Sequence, residues 1–252
     1  MYSQEKTEAW FNDYVDSFRI GGALAPMQEL KRKHSFRVQQ LASAIAESLE
    51  WHEENDVWLA HAVGLLHDTA RFLQYRDYQT FADSASFDHG DRGAEILAER
   101  FDWEGIAPGD REKVLAAVRC HNKIEIPANV PLSTCRWCAL VRDADKIDLF
   151  RMVQSRIDRG TIYDILPCRQ SGHGLSPALV EEIRATGRSS YANARSLQDY
   201  RLIQLTWALD LNYPVSVVTL KEEGIFQRIA DDLKDYQIAD VIGSLMKKID
   251  EL

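Results

Sequence analysis

Residues 26–49 read PMQELKRKHSFRVQQLASAIAESL, and this stretch decides the fold class. Leu30, His34, Val38, Leu41, Ile45 and Leu49 recur at spacings of three and four, which is the apolar stripe of a helix lying on a core. Working outward, similar stripes run through Trp10-Tyr14-Phe18, Val57–Leu66, Ala94–Phe101, Val114–His121, Leu140–Met152 and the last third from Leu197 to Leu252. Alternation of the kind a half-buried strand needs is hard to find. Breaks fall at Gly21-Gly22, Pro108-Gly109, Pro127 to Pro131, Gly160, the Ser171-Gly172-His173-Gly174 run, Gly187 to Ser190, and Pro214. The pattern predicts an all-α fold of about nine to twelve helices. Residues 160–195, rich in Gly, Ser, Pro and Arg, are expected to form a connector to C-terminal helices, or else a loop over a site.

The chain has 252 residues, 45% of them apolar, enough for a full core. With 30 Lys+Arg against 39 Asp+Glu, the formal net charge of -9 provides no whole-chain positive field for a nucleic-acid polymer or an anionic membrane. No stretch free of Asp, Glu, Lys and Arg exceeds eleven residues, well short of a spanning helix. The acid-containing N-terminus has no secretory pattern, and four cysteines without a dense framework suit a reducing compartment, so a cytoplasmic location with reduced thiols is expected. Cys135-Arg136-Trp137-Cys138 has the gap of a zinc or redox pair but neither a second pair nor a preceding strand. Cys120 and Cys168 stand alone and read as buried thiols.

The chemistry-bearing residues stand out against this apolar pattern. His34 sits within the stripe of residues 30–49, where desolvation makes a polar group unfavourable, and His121 repeats the pattern after Val114, Ala117 and Val118. Each alone is most simply a neutral imidazole bonded to a carbonyl. In Gly64-Leu65-Leu66-His67-Asp68 an apolar helix runs into an imidazole followed by a carboxylate, and a carboxylate there needs a counter-ion or several donors. In Asp143-Ala144-Asp145-Lys146-Ile147-Asp148, Asp145 lies one turn from both Val141 and Leu149 and so projects toward the core. Two imidazoles and two carboxylates make a mixed nitrogen and oxygen site suited to Mn, Fe, Ni, Co, Zn or, less well, Mg. His52 and His61 lack acidic partners at ligand spacing, and His173, in a Gly-rich run, reads at most as a mobile pocket residue.

The order and flanks of these residues resemble the HD-domain metal-dependent phosphohydrolases: His34, then the His67-Asp68 dyad, then a distant Asp145 in an Ala-Asp-Lys element. The resemblance spans about residues 25–155, within an expected helical domain of residues 1–160. Residues 161–252 are expected to add a connector and helices packed on the same domain. It implies metal ligation by His34, His67, Asp68 and Asp145, with Asp68 as bridge or catalytic base. Asp143 and Asp148 compete for the last place, and Asp143 is a candidate acceptor for an imidazole N–H. His89 and His121 resemble the additional histidines of two-metal branches, so they are expected either to hold a second ion or to line the substrate pocket.

The implied activity is hydrolysis of a small phosphate ester or nucleotide by metal-activated water. Arg37, Arg71 and Lys123 are candidates for phosphate binding. Departures narrow the class: Thr69-Ala70-Arg71 replaces the acidic pair of guanosine tetraphosphate hydrolases, and Asn122-Lys123-Ile124 replaces the Gly-Tyr-Pro element of cyclic-dinucleotide phosphodiesterases. Arg71 also stands where related nucleotidases carry a Glu, which leaves the acid for the leaving group unassigned. Two alternatives stay open: a di-iron oxygenase of a small hydroxylated compound, and a metal-stabilised binding or regulatory module without turnover.

Overall fold

The computed structural model describes residues 3–53, 55–166 and 174–252, so Cys168 and His173 lie outside the described residues. The helices are α1 (Gln4–Asp16), α2 (Pro26–Ser48), α3 (Asp56–Leu66), α4 (Thr69–Tyr78), α5 (His89–Arg100), α6 (Pro108–Cys120), α7 (Leu132–Asp158), α8 (Pro177–Thr186), α9 (Leu197–Ala208), α10 (Pro214–Glu222), α11 (Ile225–Leu233) and α12 (Ala239–Asp250). Among the described residues there is no β-strand, and no helix is long and apolar enough to cross a membrane. Start signals are local: the Asp88 side chain caps α5 through Asp91 N, Ser196 and Asp199 form a capping box on α9, and proline opens α2, α6, α8 and α10. The stretch 160–195, where the helical pattern thins, contains α8.

The chain divides into two compact units, residues 1–148 and 149–252, with the boundary inside α7. In the first unit α3 is the hub. Its sequence DVWLAHAVGLL is apolar nearly all round, and it packs against α1, α2 and α6. The α2–α3 approach is set by Gly64: a Cβ there would lie 2.6 Å from the Gln39 Cα and 2.9 Å from the Val38 carbonyl oxygen. That closeness rotates the buried face of α2 away from the leucines of its stripe. Ser35, Ala42 and Ala46 are buried beside His34, Val38 and Ile45, whereas Leu30, Leu41 and Leu49 are half-buried. Ala42 faces Gly64 directly, its Cβ 3.0 Å from where a Cβ on Gly64 would stand, so the contact leaves no room for a larger residue at that point.

An aromatic cluster closes the α1 side. Phe72 of α4 meets Phe11, Tyr14 and Phe18 at centroid distances of 5.9, 6.4 and 6.0 Å. His61 is buried on α3 with its Nε2 2.9 Å from the Glu8 carboxylate of α1. In the second unit α9 packs on α11 and α12, α10 on α11, and α8 on α12. Phe150 meets Trp207 and Phe226 edge-on, and the buried Arg201 guanidinium is held by Asp232, Gln154 and Gln204.

Candidate metal centre

α3 ends at Leu66 and α4 begins at Thr69, so His67 and Asp68 occupy the corner between two helices. The Thr69 hydroxyl donates to the Leu66 carbonyl at 2.7 Å and fixes that corner. His34 reaches it from the buried face of α2, Asp145 from α7, His89 from the first residue of α5, and His121 from the residue after α6. All six residues belong to the first unit.

They converge as two sets sharing Asp68. His34 Nε2 and His67 Nε2 lie 3.3 Å apart, and 3.5 and 3.4 Å from Asp68 Oδ2. Asp145 Oδ1 adds to that set, 3.1 Å from His34 Nε2 and 3.8 Å from His67 Nε2. On the other side, His89 Nε2 and His121 Nε2 lie 2.9 Å apart, each 3.6 Å from Asp68 Oδ1. The groups His34-His67-Asp68 and Asp68-His89-His121 are each compact enough to hold one metal ion, and all five residues are buried.

The imidazoles are oriented by their other nitrogen. His67 Nδ1 donates to the Gly64 carbonyl at 2.8 Å and His121 Nδ1 to the Val118 carbonyl at 2.7 Å. A carbonyl only accepts, so both Nδ1 atoms carry the hydrogen and both Nε2 atoms present lone pairs. His34 Nδ1 and His89 Nδ1 donate to Asp148 Oδ2 and Asp83 Oδ2, each at 2.6 Å. With the rings neutral, four Nε2 lone pairs therefore point inward, and the 2.9 Å pair has no hydrogen between its nitrogens unless one ring becomes charged. Burial opposes that and pulls the His89 pKa down to about 3. A cation between the nitrogens removes the conflict, and this donor set fits a divalent metal of the Mn-to-Zn series.

The charge balance agrees. Burial raises the Asp68 pKa, but Lys31, His67 and His121 outweigh it and hold the carboxyl well below its usual range. Asp145 is likewise held low, burial being overcome by His34 and His67. His34 shifts upward: burial and Lys31 oppose the rise, and Asp145 and Asp148 carry it. His67 shifts downward through burial.

The remaining candidates fall at different distances from the cluster. Arg71 Nε is buried without a hydrogen-bond partner, 3.4 Å from Asp68 Oδ1, while its Nη1 is anchored by Gln74, the Phe81 carbonyl and Asp83. Arg37 is engaged by Asp148 at 2.6 and 2.9 Å, and Lys123 by Asp88 and Asp91 at 2.6 and 2.8 Å. The acceptor on His34 Nδ1 is Asp148, one turn beyond Ala144, whereas Asp143 is buried elsewhere on α7. Arg142 donates to the carbonyls of Cys120, Lys123 and Ile124, fixing the turn that presents His121. Sequence reasoning missed Asp83, which has no motif around it, and Lys31, whose partner Asp68 lies 37 residues away. One signal for Lys31 was available, since it sits three residues before His34 and so near the same helical face.

The HD domain family model matches residues 32–159, about half of the chain, and the chain belongs to the HD-domain family. The metal-dependent hydrolases form the superfamily to which that membership points. No curated protein and no solved structure gives a match.

Proposed function

We propose that the protein is a divalent-metal phosphohydrolase acting on a small phosphate ester or nucleotide. The observation that carries this reading is the pair of Nε2 to Nε2 contacts at 3.3 and 2.9 Å around one shared carboxylate. His34, His67, Asp68 and Asp145 would hold one ion, and His89 and His121 with the second Asp68 oxygen would hold another. A divalent cation held there supplies Lewis-acid polarisation of a phosphoryl group and makes nearby water more acidic.

The chain's own residues do the rest. Asp68, kept anionic, serves better as a bridge between the two sets than as a proton acceptor, because its affinity for a proton is low. Asp148 and Asp83 hold the imidazoles of His34 and His89 in the tautomer that leaves Nε2 free. Arg71 is the substrate's anion contact, since its buried Nε, 3.4 Å from Asp68 Oδ1, makes no hydrogen bond beside the cluster. Arg37 and Lys123 act from outside it, through Asp148 and through the Asp88–Asp91 cap of α5.

The test is metal analysis of protein purified without added ions, followed by a panel of phosphate esters with each candidate ion. The expected result is one or two ions per chain, phosphate release, and loss of both in His67→Ala and Asp68→Ala. Full metal retention in both variants refutes the site. Oxygen uptake by an iron-loaded form without phosphate release replaces the hydrolase reading with an oxygenase one, which the same six ligands would serve.

A further inference from the structure

The Lys31 ammonium bonds a candidate ligand directly. Its Nζ lies 2.6 Å from Asp68 Oδ2, the oxygen that also faces His34 and His67. The side chain is 13% exposed, so it runs from α2 along the wall of the cluster and is not a freely solvated surface lysine. Its ammonium lies 5.6 Å from the centre of the Phe81 ring, and the Arg71 guanidinium lies at the same distance from that ring. The two cations thus flank Asp68, Lys31 on Oδ2 and Arg71 on Oδ1. They differ in freedom. Arg71 Nη1 is tied by three acceptors, whereas Lys31 donates to Asp68 and otherwise meets the Phe81 ring.

We infer that Lys31 is a displaceable counter-ion: it neutralises Asp68 in the metal-free protein, gives way when a divalent cation takes Oδ2, and then binds the phosphate of the substrate. This rests on the metal-site reading above. An ammonium and a divalent cation sharing one carboxylate oxygen repel each other in a site screened from water. Lys31 has the means to move, with four rotatable carbons and a cation–π platform in Phe81 along which the charge remains favourable. A phosphate arriving at the cluster meets Arg71 Nε fixed on one side and the released ammonium on the other. The ligand class is a phosphate with two or more anionic oxygens, since two cations must be answered at once. Loading with metal and capture of substrate are then coupled through one side chain.

The test uses metal-stripped full-length protein, with Mn(II) alone and then inorganic phosphate as probes, followed by calorimetry. Lys31→Met is expected to bind Mn(II) about tenfold more tightly than wild type, since no ammonium competes, and the Mn-loaded variant is expected to bind inorganic phosphate about tenfold more weakly. Lys31→Gln, closer in polarity, guards against a folding defect in the methionine variant and is expected to show the same two shifts in opposite directions. Unchanged or weaker Mn(II) binding in the folded variants overturns the displacement, and unchanged phosphate binding overturns the anion contact. If wild type binds Mn(II) and the variants match it, the inference fails and the metal centre stands. If wild type binds no divalent ion at all, both fall.

Discussion

Asp148→Asn isolates what the outer carboxylate does for the cluster. Asp148 Oδ2 accepts from His34 Nδ1 at 2.6 Å and from Arg37 Nη2 at 2.9 Å, while Oδ1 accepts from Arg37 Nε at 2.6 Å. The amide keeps the volume, removes the charge and turns one acceptor into a donor. With the amide oxygen at the Oδ2 position, His34 Nδ1 keeps an acceptor but a neutral and weaker one, and the amide nitrogen faces the Arg37 Nε hydrogen. With the oxygen at Oδ1, the nitrogen faces the His34 Nδ1 hydrogen and drives the imidazole to the tautomer that protonates Nε2. Outer partners of this kind govern roughly 10–100-fold in metal affinity, equivalent to about 1.4–2.8 kcal/mol. Arg37 is 43% exposed and regains water, so the loss of fold stability comes mainly from the buried His34 and amounts to about 1–3 kcal/mol. Titration of Mn(II) into stripped protein measures the first quantity and denaturant unfolding the second. Arg37→Met is the control: it leaves the His34–Asp148 bond in place and is expected to change metal affinity by less than about threefold. Wild-type affinity in Asp148→Asn, or an equal loss in Arg37→Met, would refute the argument that Asp148 acts through the imidazole.

Three further outcomes follow from the same geometry. His121→Ala removes one nitrogen from the His89 set alone, so metal content is expected to fall toward one ion per chain while the His34 set stays loaded; atomic absorption on the purified variant checks this. In the stripped protein, burial lowers the pKa of His61, His67 and His89, and an unfolded histidine titrates near 6.5. Below that pH the unfolded chain therefore binds more protons, and stability falls on acidification by up to about 1.4 kcal/mol per pH unit for each of the three. His34 is shifted upward, so its contribution is complete below 6.5 and is lost as pH rises through its folded value, which places the stability maximum of the stripped protein close to neutral. Unfolding curves between pH 5 and 8 that rise steadily with pH would contradict this. Gly64→Ala forces a Cβ against the Gln39 backbone and is expected to destabilise by about 1–3 kcal/mol, read as a shift in denaturant midpoint without change of slope.

Much of this centre was visible in the linear chain, and the reasons differ by residue. His34 and Asp145 stand out because a polar group on an apolar face is costly to bury and asks for a partner, and the dyad stands out because an apolar helix ends on it. The buried face of α2 was misjudged by a fraction of a turn, since periodicity defines a stripe but not which part of it meets Gly64. Asp83 and Lys31 stayed hidden for a different reason. Their partners lie on other elements, so their positions depend on how α2, α4 and α5 meet. Arg37 and Lys123 are close to the candidate ligands in sequence, yet in space Asp148 engages the first and Asp88 with Asp91 the second, partners that sequence order does not place beside them. Helix α7 shows the opposite case: Trp137, Cys138, Leu140, Val141 and Ala144 are buried on successive sides, and Arg142, Asp143 and Asp148 are buried among them, so burial alone does not single out the acids that face the cluster.

The junction of α3 and α4 constrains more than its two side chains. Successive residues on an unbroken helix diverge by about 100°, so His67 and Asp68 could not both address one centre if the helix ran on. The interruption, pinned by the Thr69 hydroxyl on the Leu66 carbonyl, converts sequence neighbours into convergent ligands. Straightening that elbow would part the two side chains without altering either of them, which makes Thr69 a position where a conservative-looking change such as Thr69→Val is expected to weaken the cluster.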